Sequence, residues 1–449
     1  ILESVTAKCW IAKHLGGKMS KLIKNGHLVD VEAKRDGLFD LLINDEGTVD
    51  KVGDRGSLES FVNENTEIID ASEKYVLPGF IDLHVHFREP GGEYKETVKT
   101  GSMAAARGGY TTVVTMPNTK PVMDTVEHLK LQLDAIKKDA VINVLPSGTV
   151  TLGQEGKVLS DMEGMKKAGI VAISEDGKSV MDPEILRKGL IEAARLGLPF
   201  FDHCEDANLV NGGVMNEGEK SKELGMPGIT NEVEDSIAKR DIEIAAEVGA
   251  TIHLCHCSTR ETVKYVKEAK EKGYSVSAEV CPHHFTLADE DIVEDDANYK
   301  MNPPLRSRAD VEALKEGLKS GIMGMISTDH APHSKEEKEK SIKDAPFGIV
   351  GLETSFALAV TELLGKYLDM KSLVERMSLT PAKLLKNGRG TLKEGSVADL
   401  VIADIDNEYV IDSDKFLSKG KNTPFNGKKV RGKILYTLCN GKVVYKEEE

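Results

Sequence analysis

Two kinds of hydrophobic pattern divide the chain into a middle part and two ends. In the middle, apolar and β-branched runs alternate with segments of helical period, which is typical of βαβ units and a parallel sheet. Helical segments such as 184–196 and 260–272 carry Ala, Leu, Glu and Lys at helical spacing and end before Gly. Eight apolar runs lie in this part: 79–86, 111–118, 141–147, 170–176, 199–205, 251–258, 275–282 and 323–330.

The two ends instead show short alternating strands broken by turns, from Lys21 to about Val76 and again within 398–446. Eight strands with helical crossovers predict an α/β fold, a TIM-type (β/α)₈ barrel, and the β-rich ends predict a small β-sandwich domain assembled from both termini. The predicted boundaries are 1–18 for an extension ahead of a natural start at Met19, 19–77 for the first part of the sandwich, 78–391 for the barrel and 392–449 for the second part.

Composition narrows the class of partner. The net charge is −15 and no basic stripe occurs, which argues against a nucleic-acid backbone as partner. No apolar run approaches the ~20 residues of a membrane span. The 6 cysteines in 449 residues indicate reduced thiols, not a disulfide framework, and the first residues lack the order of a signal peptide. We therefore expect a small-molecule substrate, no nucleic acid, no membrane and a cytoplasmic location.

Polar residues close several of the predicted barrel strands, at the face where TIM barrels carry their chemistry. The first strand ends with His84 and His86, which are two residues apart and therefore point to the same side of a strand. Other predicted strands end at residues with imidazole or carboxylate groups: Asp176, His203, His256 and Asp329.

A single buried histidine is more often a hydrogen-bonded core residue than a metal ligand. The metal interpretation therefore depends on several such residues occurring together. Four His and two Asp at the strand ends of one barrel supply enough imidazole and carboxylate for two divalent ions. Two ions about 3.5–4 Å apart need a bridging ligand, for which the carboxylate of Asp176 is the candidate.

Two alternatives remain open at this point. Strand alternation places His253 and His256 on opposite faces, so either could face the metals. The thiols of Cys255 and Cys257 could instead belong to a structural zinc site with His253, although no second Cys pair at finger spacing exists.

A series of motifs resembles the dihydroorotase family of the amidohydrolase superfamily. The first is Asp82-Leu-His84-Val-His86-Phe-Arg88, and the rest follow in family order over nearly the whole chain from about Lys21 to Val444. The similar blocks are 82–91, 116–119, 174–177, 202–205, 255–258, 302–306, 328–333 and 346–353.

The resemblance implies two zinc ions. His84, His86 and Asp329 would hold one, His203 and His256 the other, with Asp176 and a hydroxide as bridges. It thereby favours His256 over His253. Many relatives use a carboxylated lysine as the bridge, whereas this chain resembles the bacterial class I type with a carboxylate. If the alignment is off by one residue, Glu175 replaces Asp176.

The resemblance also implies the reaction and the residues around the substrate. Asp329 would act as general acid and base in the reversible cyclisation of N-carbamoyl-L-aspartate to (S)-dihydroorotate, the third step of de novo pyrimidine synthesis. The planar guanidinium of Arg88 suits a bidentate carboxylate, unless Arg88 forms a surface ion pair with Glu89 or Glu93. Asn118, Asn302 and His333 would complete the pocket.

Other functions compete with this one. A hydantoinase- or allantoinase-like enzyme would share fold and metals, an inactive relative would only scaffold an aspartate carbamoyltransferase, and a binding module would sense a metabolite. We further expect a homodimer, an association with aspartate carbamoyltransferase, and a mobile lid in the charged segment 335–348.

Overall fold

The computed structural model describes residues 20–448, so the predicted extension 1–18 lies outside the described residues. In chain order the strands are β1 (Lys21–Asp30), β2 (Arg35–Ile43), β3 (Val49–Asp54), β4 (Glu67–Asp70), β5 (Tyr75–Pro78), β6 (Phe80–Val85), β7 (Tyr110–Thr115), β8 (Asn143–Thr149), β9 (Ala172–Ser174), β10 (Phe200–Asp202), β11 (Met215–Asn216), β12 (Gly228–Ile229), β13 (Ile252–Leu254), β14 (Val276–Val280), β15 (Met325–Ile326), β16 (Leu400–Val410), β17 (Lys429–Cys439) and β18 (Lys442–Lys446).

Thirteen α-helices are found among residues 20–448. They are α1 (Val98–Arg107), α2 (Val126–Asp139), α3 (Met162–Ala168), α4 (Pro183–Leu196), α5 (Glu219–Glu223), α6 (Glu232–Val248), α7 (Arg260–Glu271), α8 (Pro282–Thr286), α9 (Arg308–Ser320), α10 (Lys335–Lys338), α11 (Ser355–Glu362), α12 (Met370–Val374) and α13 (Thr380–Leu385).

The predicted barrel is confirmed. Eight parallel strands follow the order β15-β14-β13-β10-β9-β8-β7-β6, and each overlaps one of the apolar runs. The first and last strands of this order, β15 and β6, close the barrel. There, Val85 at the end of β6 pairs in parallel with His330, which lies beyond β15, and the amide of His86 donates to the carbonyl of His330 at 2.8 Å. Asp82 strengthens this closure, because its carboxylate accepts hydrogen bonds from the amide and hydroxyl of Thr328.

Local signals in the sequence fix where the crossover helices begin and end. Before α4, the side chain of Asp182 accepts from the amide of Glu184, and Pro183 occupies the first turn, where a missing N–H costs nothing. Gly197 then ends this helix with φ 65°, a left-handed conformation that strains other residues. Because the barrel strands pair in parallel, all of their carboxyl ends lie at the same rim of the barrel.

The strands of both chain ends join in one separate sheet, as predicted. Its order is β18-β17-β16-β5-β1-β2-β3, with β4 paired to β1, and its two halves meet where β5 lies between β1 and β16. Side chains from both ends share a core of their own, including Leu28, Leu41, Leu400 and Leu438. The residue limits 19–77, 78–391 and 392–449 stay predictions.

Within residues 20–448, we find no helix with the length and apolar character needed to cross a membrane.

Candidate active site

The six predicted ligands lie together at the carboxyl ends of the barrel strands, and all six are buried. His84 is the fifth residue of β6 and His86 follows its end, while the others stand within three residues of the ends of β9, β10, β13 and β15. We call this group the six-ligand cluster: His84, His86, Asp176, His203, His256 and Asp329.

Asp176 occupies the centre of the six-ligand cluster. Its Oδ1 lies 3.1 Å from Nε2 of His84, 3.5 Å from Nδ1 of His203 and 3.6 Å from Nε2 of His256. Its Oδ2 lies 3.5 Å from Nε2 of His86. One carboxylate therefore faces all four imidazoles, which is the placement that a bridging ligand requires.

Asp329 completes the side of the cluster formed by β6. Its Oδ1 lies 3.0 Å from Nε2 of His86 and 3.6 Å from Nε2 of His84. On the other side, Nδ1 of His203 and Nε2 of His256 are 2.9 Å apart. The donors thus divide into two groups around Asp176.

The chemistry of these donors fits divalent ions. Oδ1 of Asp176 and Oε1 of Glu279 lie 3.1 and 3.4 Å from the two buried ring nitrogens of His84, yet neither contact within residues 20–448 has the geometry of a hydrogen bond, which buried imidazoles normally form. Burial opposes ionisation of Asp176, yet His84, His203 and His256 hold the pKa of its carboxyl well below its usual range. Burial opposes protonation of His84 and His203, yet Asp176 raises the pKa of both rings, so an ion must displace protons from these rings as it binds. Carboxylates together with deprotonated imidazoles are the donor set that borderline ions such as Zn²⁺ prefer.

The choice between His253 and His256 follows from where β13 ends. The strand stops at Leu254, so alternation no longer governs His256, which turns towards Asp176 with a positive φ of 34°. His253 lies inside the barrel instead, with Nε2 2.9 Å from Oε2 of Glu279. Asp329 likewise has a positive φ, 48°, and strained backbone of this kind is often found at functional sites.

Glu175 points away from the six-ligand cluster. Its Oε2 accepts hydrogen bonds from the amides of Val150 and Thr151 at 3.0 and 3.1 Å, and Thr151 also donates through its hydroxyl. The Glu175 carboxylate therefore holds the two residues that follow β8 by hydrogen bonds. This geometry favours Asp176 over Glu175 as the bridge.

Among residues 20–448, the thiols of Cys255 and Cys257 do not come together with His253 as a group of potential zinc ligands. The groups of potential ligands among residues 20–448 include Cys255 with His84 and Glu279, but none contains Cys257. Nδ1 of His253 is 2.9 Å from the hydroxyl of Ser277, so both of its ring nitrogens already have partners.

Glu279 is a residue of the site that the sequence reasoning missed. It is fully buried in β14, with Oε1 3.4 Å from Nδ1 of His84 and 3.3 Å from the amide nitrogen of His256. A carboxylate behind a ligating imidazole fixes the ring and its tautomer and makes the ring a better ligand. The signal was present, since Glu279 is the one acidic residue in the apolar run 275–282.

We expect Glu279→Gln to weaken metal binding by about 10–100-fold, the range for loss of a partner behind a ligand. Competition with a chelator measures the affinity directly. Ser277→Ala is the matched control, because it removes the other partner of His253 on the same strand without touching His84. Equal losses in both variants would mean that Glu279 acts on the fold and not on the ligand.

Arg88 lies half-buried just beyond the six-ligand cluster and carries a positive φ of 58°. Its Nε donates to the carbonyl of Pro332 at 3.3 Å. Within residues 20–448 no carboxylate oxygen lies within 4.0 Å of its guanidinium, because Glu89 and Glu93 accept from the amides of Val98 and Gly91 instead. The surface ion pair that competed with substrate binding is therefore not formed.

His333 lies beside Arg88, as the predicted pocket requires. Its Nε2 is 2.7 Å from the carbonyl of Phe347, which can only accept, so Nε2 carries the proton of the neutral ring. Nδ1 then accepts from Nζ of Lys95 at 3.2 Å, while Oε2 of Glu337 lies 3.3 Å from Nδ1 and Nη2 of Arg88 lies 3.4 Å from Nε2 without donating to it. Burial, together with Arg88 and Lys95, lowers the pKa of His333 to about 3. The ring is neutral at physiological pH and adds no charge to the pocket.

The two predicted amide residues also reach the site. Oδ1 of Asn118 is 3.0 Å from Nδ1 of His86, and its Nδ2 donates to Asp176 at 3.1 Å, so Asn118 orients two of the predicted ligands. Asn302 donates to Glu205, whose other neighbour is Nε2 of His203 at 3.9 Å. Both side chains line the edge of the six-ligand cluster.

The segment predicted as a lid contains the short helix α10. Lys338 is buried there, and its Nζ donates to the carbonyls of Lys300, Pro346 and Gly348 at 3.2, 3.1 and 2.9 Å. These bonds hold the segment over the end of the barrel next to His333. Its mobility stays a prediction.

Solved structures with the same architecture include several hydantoinases. L-hydantoinase (dihydropyrimidinase) from Arthrobacter aurescens is 26% identical, with a TM-score of 0.85 and 96% of each chain covered. D-hydantoinase (dihydropyrimidinase) from Thermus sp. is also 26% identical, with a TM-score of 0.82 over 96% of this chain and 97% of the other. The barrel and its site define an amidohydrolase, a hydrolase acting on cyclic amides.

Relatives that are closer in sequence narrow the class. A family model described as Dihydro-orotase-like matches residues 73–262. Dihydroorotase from Staphylococcus epidermidis is 44% identical over 96% of this chain and 99% of its own, and dihydroorotase from Bacillus licheniformis is 45% identical with the same coverage. Dihydroorotase from Clostridioides difficile is 44% identical over 94% of this chain and 99% of its own. The chain belongs to the dihydroorotase family.

Proposed function

We propose that this chain catalyses the reversible cyclisation of N-carbamoyl-L-aspartate to (S)-dihydroorotate with loss of water, the third step of de novo pyrimidine synthesis. Family membership supports the ring chemistry. The observation that carries the choice of substrate is Arg88, a half-buried guanidinium two residues beyond His86 that has no carboxylate oxygen of residues 20–448 within 4.0 Å. Dihydroorotate would supply the missing carboxylate.

The proposed cofactor is a pair of zinc ions in the six-ligand cluster. His84, His86 and Asp329 would hold one ion and His203 and His256 the other, with Asp176 as the shared ligand. Bound there, the ions would polarise the amide carbonyl and lower the pKa of a water molecule towards neutrality. The central position of Asp176, within 3.6 Å of all four imidazoles, supports this division.

Asp329 is the proposed proton carrier. His86 occupies its Oδ1, whereas no hydrogen bond from residues 20–448 reaches Oδ2. In hydrolysis, Oδ2 would take the proton that water loses as its oxygen bonds to the ring carbonyl carbon. It would then give that proton to the ring nitrogen as the carbon–nitrogen bond breaks. In ring closure the same carboxylate works in reverse.

The remaining pocket residues would position the substrate. Arg88 has the planar fork for a bidentate contact with the carboxylate, and His333, protonated on Nε2 and neutral, would lie beside it. We propose that Asn302 exchanges its contact with Glu205 for the substrate amide. Asn118 would act at the same edge while it orients His86.

Turnover and metal content, measured on one preparation, test the proposal. We expect about two zinc-like ions per chain, since two groups of nitrogen and oxygen donors surround Asp176, and turnover of both dihydroorotate and N-carbamoyl-aspartate. Hydantoin and allantoin are the substrates for comparison. A metal content near zero after supplementation would remove the site assignment, and faster turnover of hydantoin would favour the related cyclic-amide hydrolases.

Several expectations about the surroundings of the enzyme stay proposals. They are the homodimer, an association with an aspartate carbamoyltransferase, and a cytoplasmic location. The thiols of Cys204, Cys255, Cys257, Cys281 and Cys439 are all free and buried, which supports a reducing compartment. Light scattering of the purified chain, alone and with the transcarbamoylase, tests the two associations.

A further inference from the structure

A second cluster of metal-ligating side chains lies outside the six-ligand cluster. Cys281 caps the start of α8, and His283 and His284 belong to the helix. One ligand atom of each lies within 4.8 Å of the others, and all three residues are buried. Donors held at about 2.0–2.3 Å by a tetrahedral ion are about 3.3–3.7 Å apart. Small rotations of these side chains would therefore bring them onto one ion.

Each histidine of this cluster has a buried ring nitrogen that makes no hydrogen bond with residues 20–448. These nitrogens are Nε2 of His283 and Nδ1 of His284. Nε2 of His284 is 2.9 Å from the carbonyl of Pro303, so this nitrogen carries the proton and Nδ1 presents its lone pair. Buried nitrogens without partners are rare enough to need a cause, and a bound cation provides one.

Burial also keeps both rings in the form that ligates. It lowers the pKa of His283 to about 4 and that of His284 well below its usual range, so neither ring is protonated near neutral pH. Burial, with Asp329 nearby, raises the pKa of the Cys281 thiol. An ion must therefore displace one proton, which passes to water as the sulfur–metal bond forms, and we expect weaker binding here than in the six-ligand cluster.

We propose that Cys281, His283 and His284 bind a further, thiophilic divalent cation such as Zn²⁺. One thiolate and two imidazoles are the ligands that zinc and its softer relatives select. The site is distinct from the six-ligand cluster, which contains no sulfur. It lies one hydrogen bond from Pro303, the neighbour of Asn302, and so borders the proposed substrate pocket.

Cobalt titration of the metal-free protein tests the proposal, because thiolate-to-cobalt charge transfer absorbs in the near ultraviolet and carboxylate or imidazole ligation does not produce this band. The background is Cys9→Ser, so that Cys9 cannot supply the thiolate. We expect the band only after about two equivalents of Co²⁺ have filled the six-ligand cluster. Cys281→Ser should abolish the band while the first two equivalents still bind.

Two further variants keep the result interpretable. His283→Gln retains the thiol but removes one ligand, and it should raise the Co²⁺ concentration at half-saturation of the band by about tenfold or more, since even partners behind a ligand are worth that much. Cys255→Ser should leave the band in place. A band that disappears with Cys255→Ser, a band that survives Cys281→Ser, or no band in the background protein would each overturn the proposal.

Discussion

Asp176→Asn should lose nearly all turnover and at least one of the bound ions. The side chain keeps its size but gives up the charge that faces four imidazoles, the nearest at 3.1 Å. Removing one partner from a buried charged pair costs about 3–5 kcal/mol, and each 1.4 kcal/mol is about tenfold. We therefore expect kcat/KM to fall by about two to four orders of magnitude. Asp176→Ala should lose more, because it also leaves a cavity.

Glu175→Gln is the matched control for this result. It lies one residue away, is equally buried, and retains an oxygen that can accept from Val150 and Thr151. We expect it to keep both ions and most of the activity. Elemental analysis beside steady-state kinetics separates the two variants. If Glu175→Gln loses the metal and Asp176→Asn keeps it, the bridge has been assigned to the wrong carboxylate.

The positions of the ligands could be predicted because strand ends are encoded locally. An apolar run that closes with His84 and His86 places both side chains at the rim of any barrel that the strand joins. The same rule brought Asp176 and Asp329 to that rim from other strands. These predictions needed only two facts: the spacing of apolar and polar residues along the chain, and the shared direction of parallel strands.

The direction of a side chain that follows the last residue of a strand could not be predicted from the alternation of the pattern. Alternation left His253 and His256 equivalent, because it assumes regular backbone, whereas His256 follows the last strand residue and has φ 34°. Glu279 was missed for a related reason. Its contact with His84 joins β14 to β6 across the inside of the barrel, and no local pattern encodes a contact between strands so far apart in sequence.

Arg88→Ala should reduce kcat/KM for dihydroorotate by roughly one and a half to three orders of magnitude and leave the metal content unchanged. The guanidinium has no carboxylate partner of its own within residues 20–448. A charge-assisted bidentate contact in a partly dry pocket is worth about 2–4 kcal/mol when its loss leaves a carboxylate unpaired. Arg88→Lys should recover only part of the rate, since an ammonium keeps the charge and loses the fork.

A substrate without the carboxylate distinguishes recognition from support of the metal site. Wild type should turn over dihydrouracil poorly, and Arg88→Ala should lower that residual rate far less than the rate on dihydroorotate. The reason is that His86 and Asp329 keep their own contact at 3.0 Å, which involves no atom of Arg88. Equal losses on both substrates would show that Arg88 supports the ligands or the fold. The choice of dihydroorotate would then depend on family membership alone.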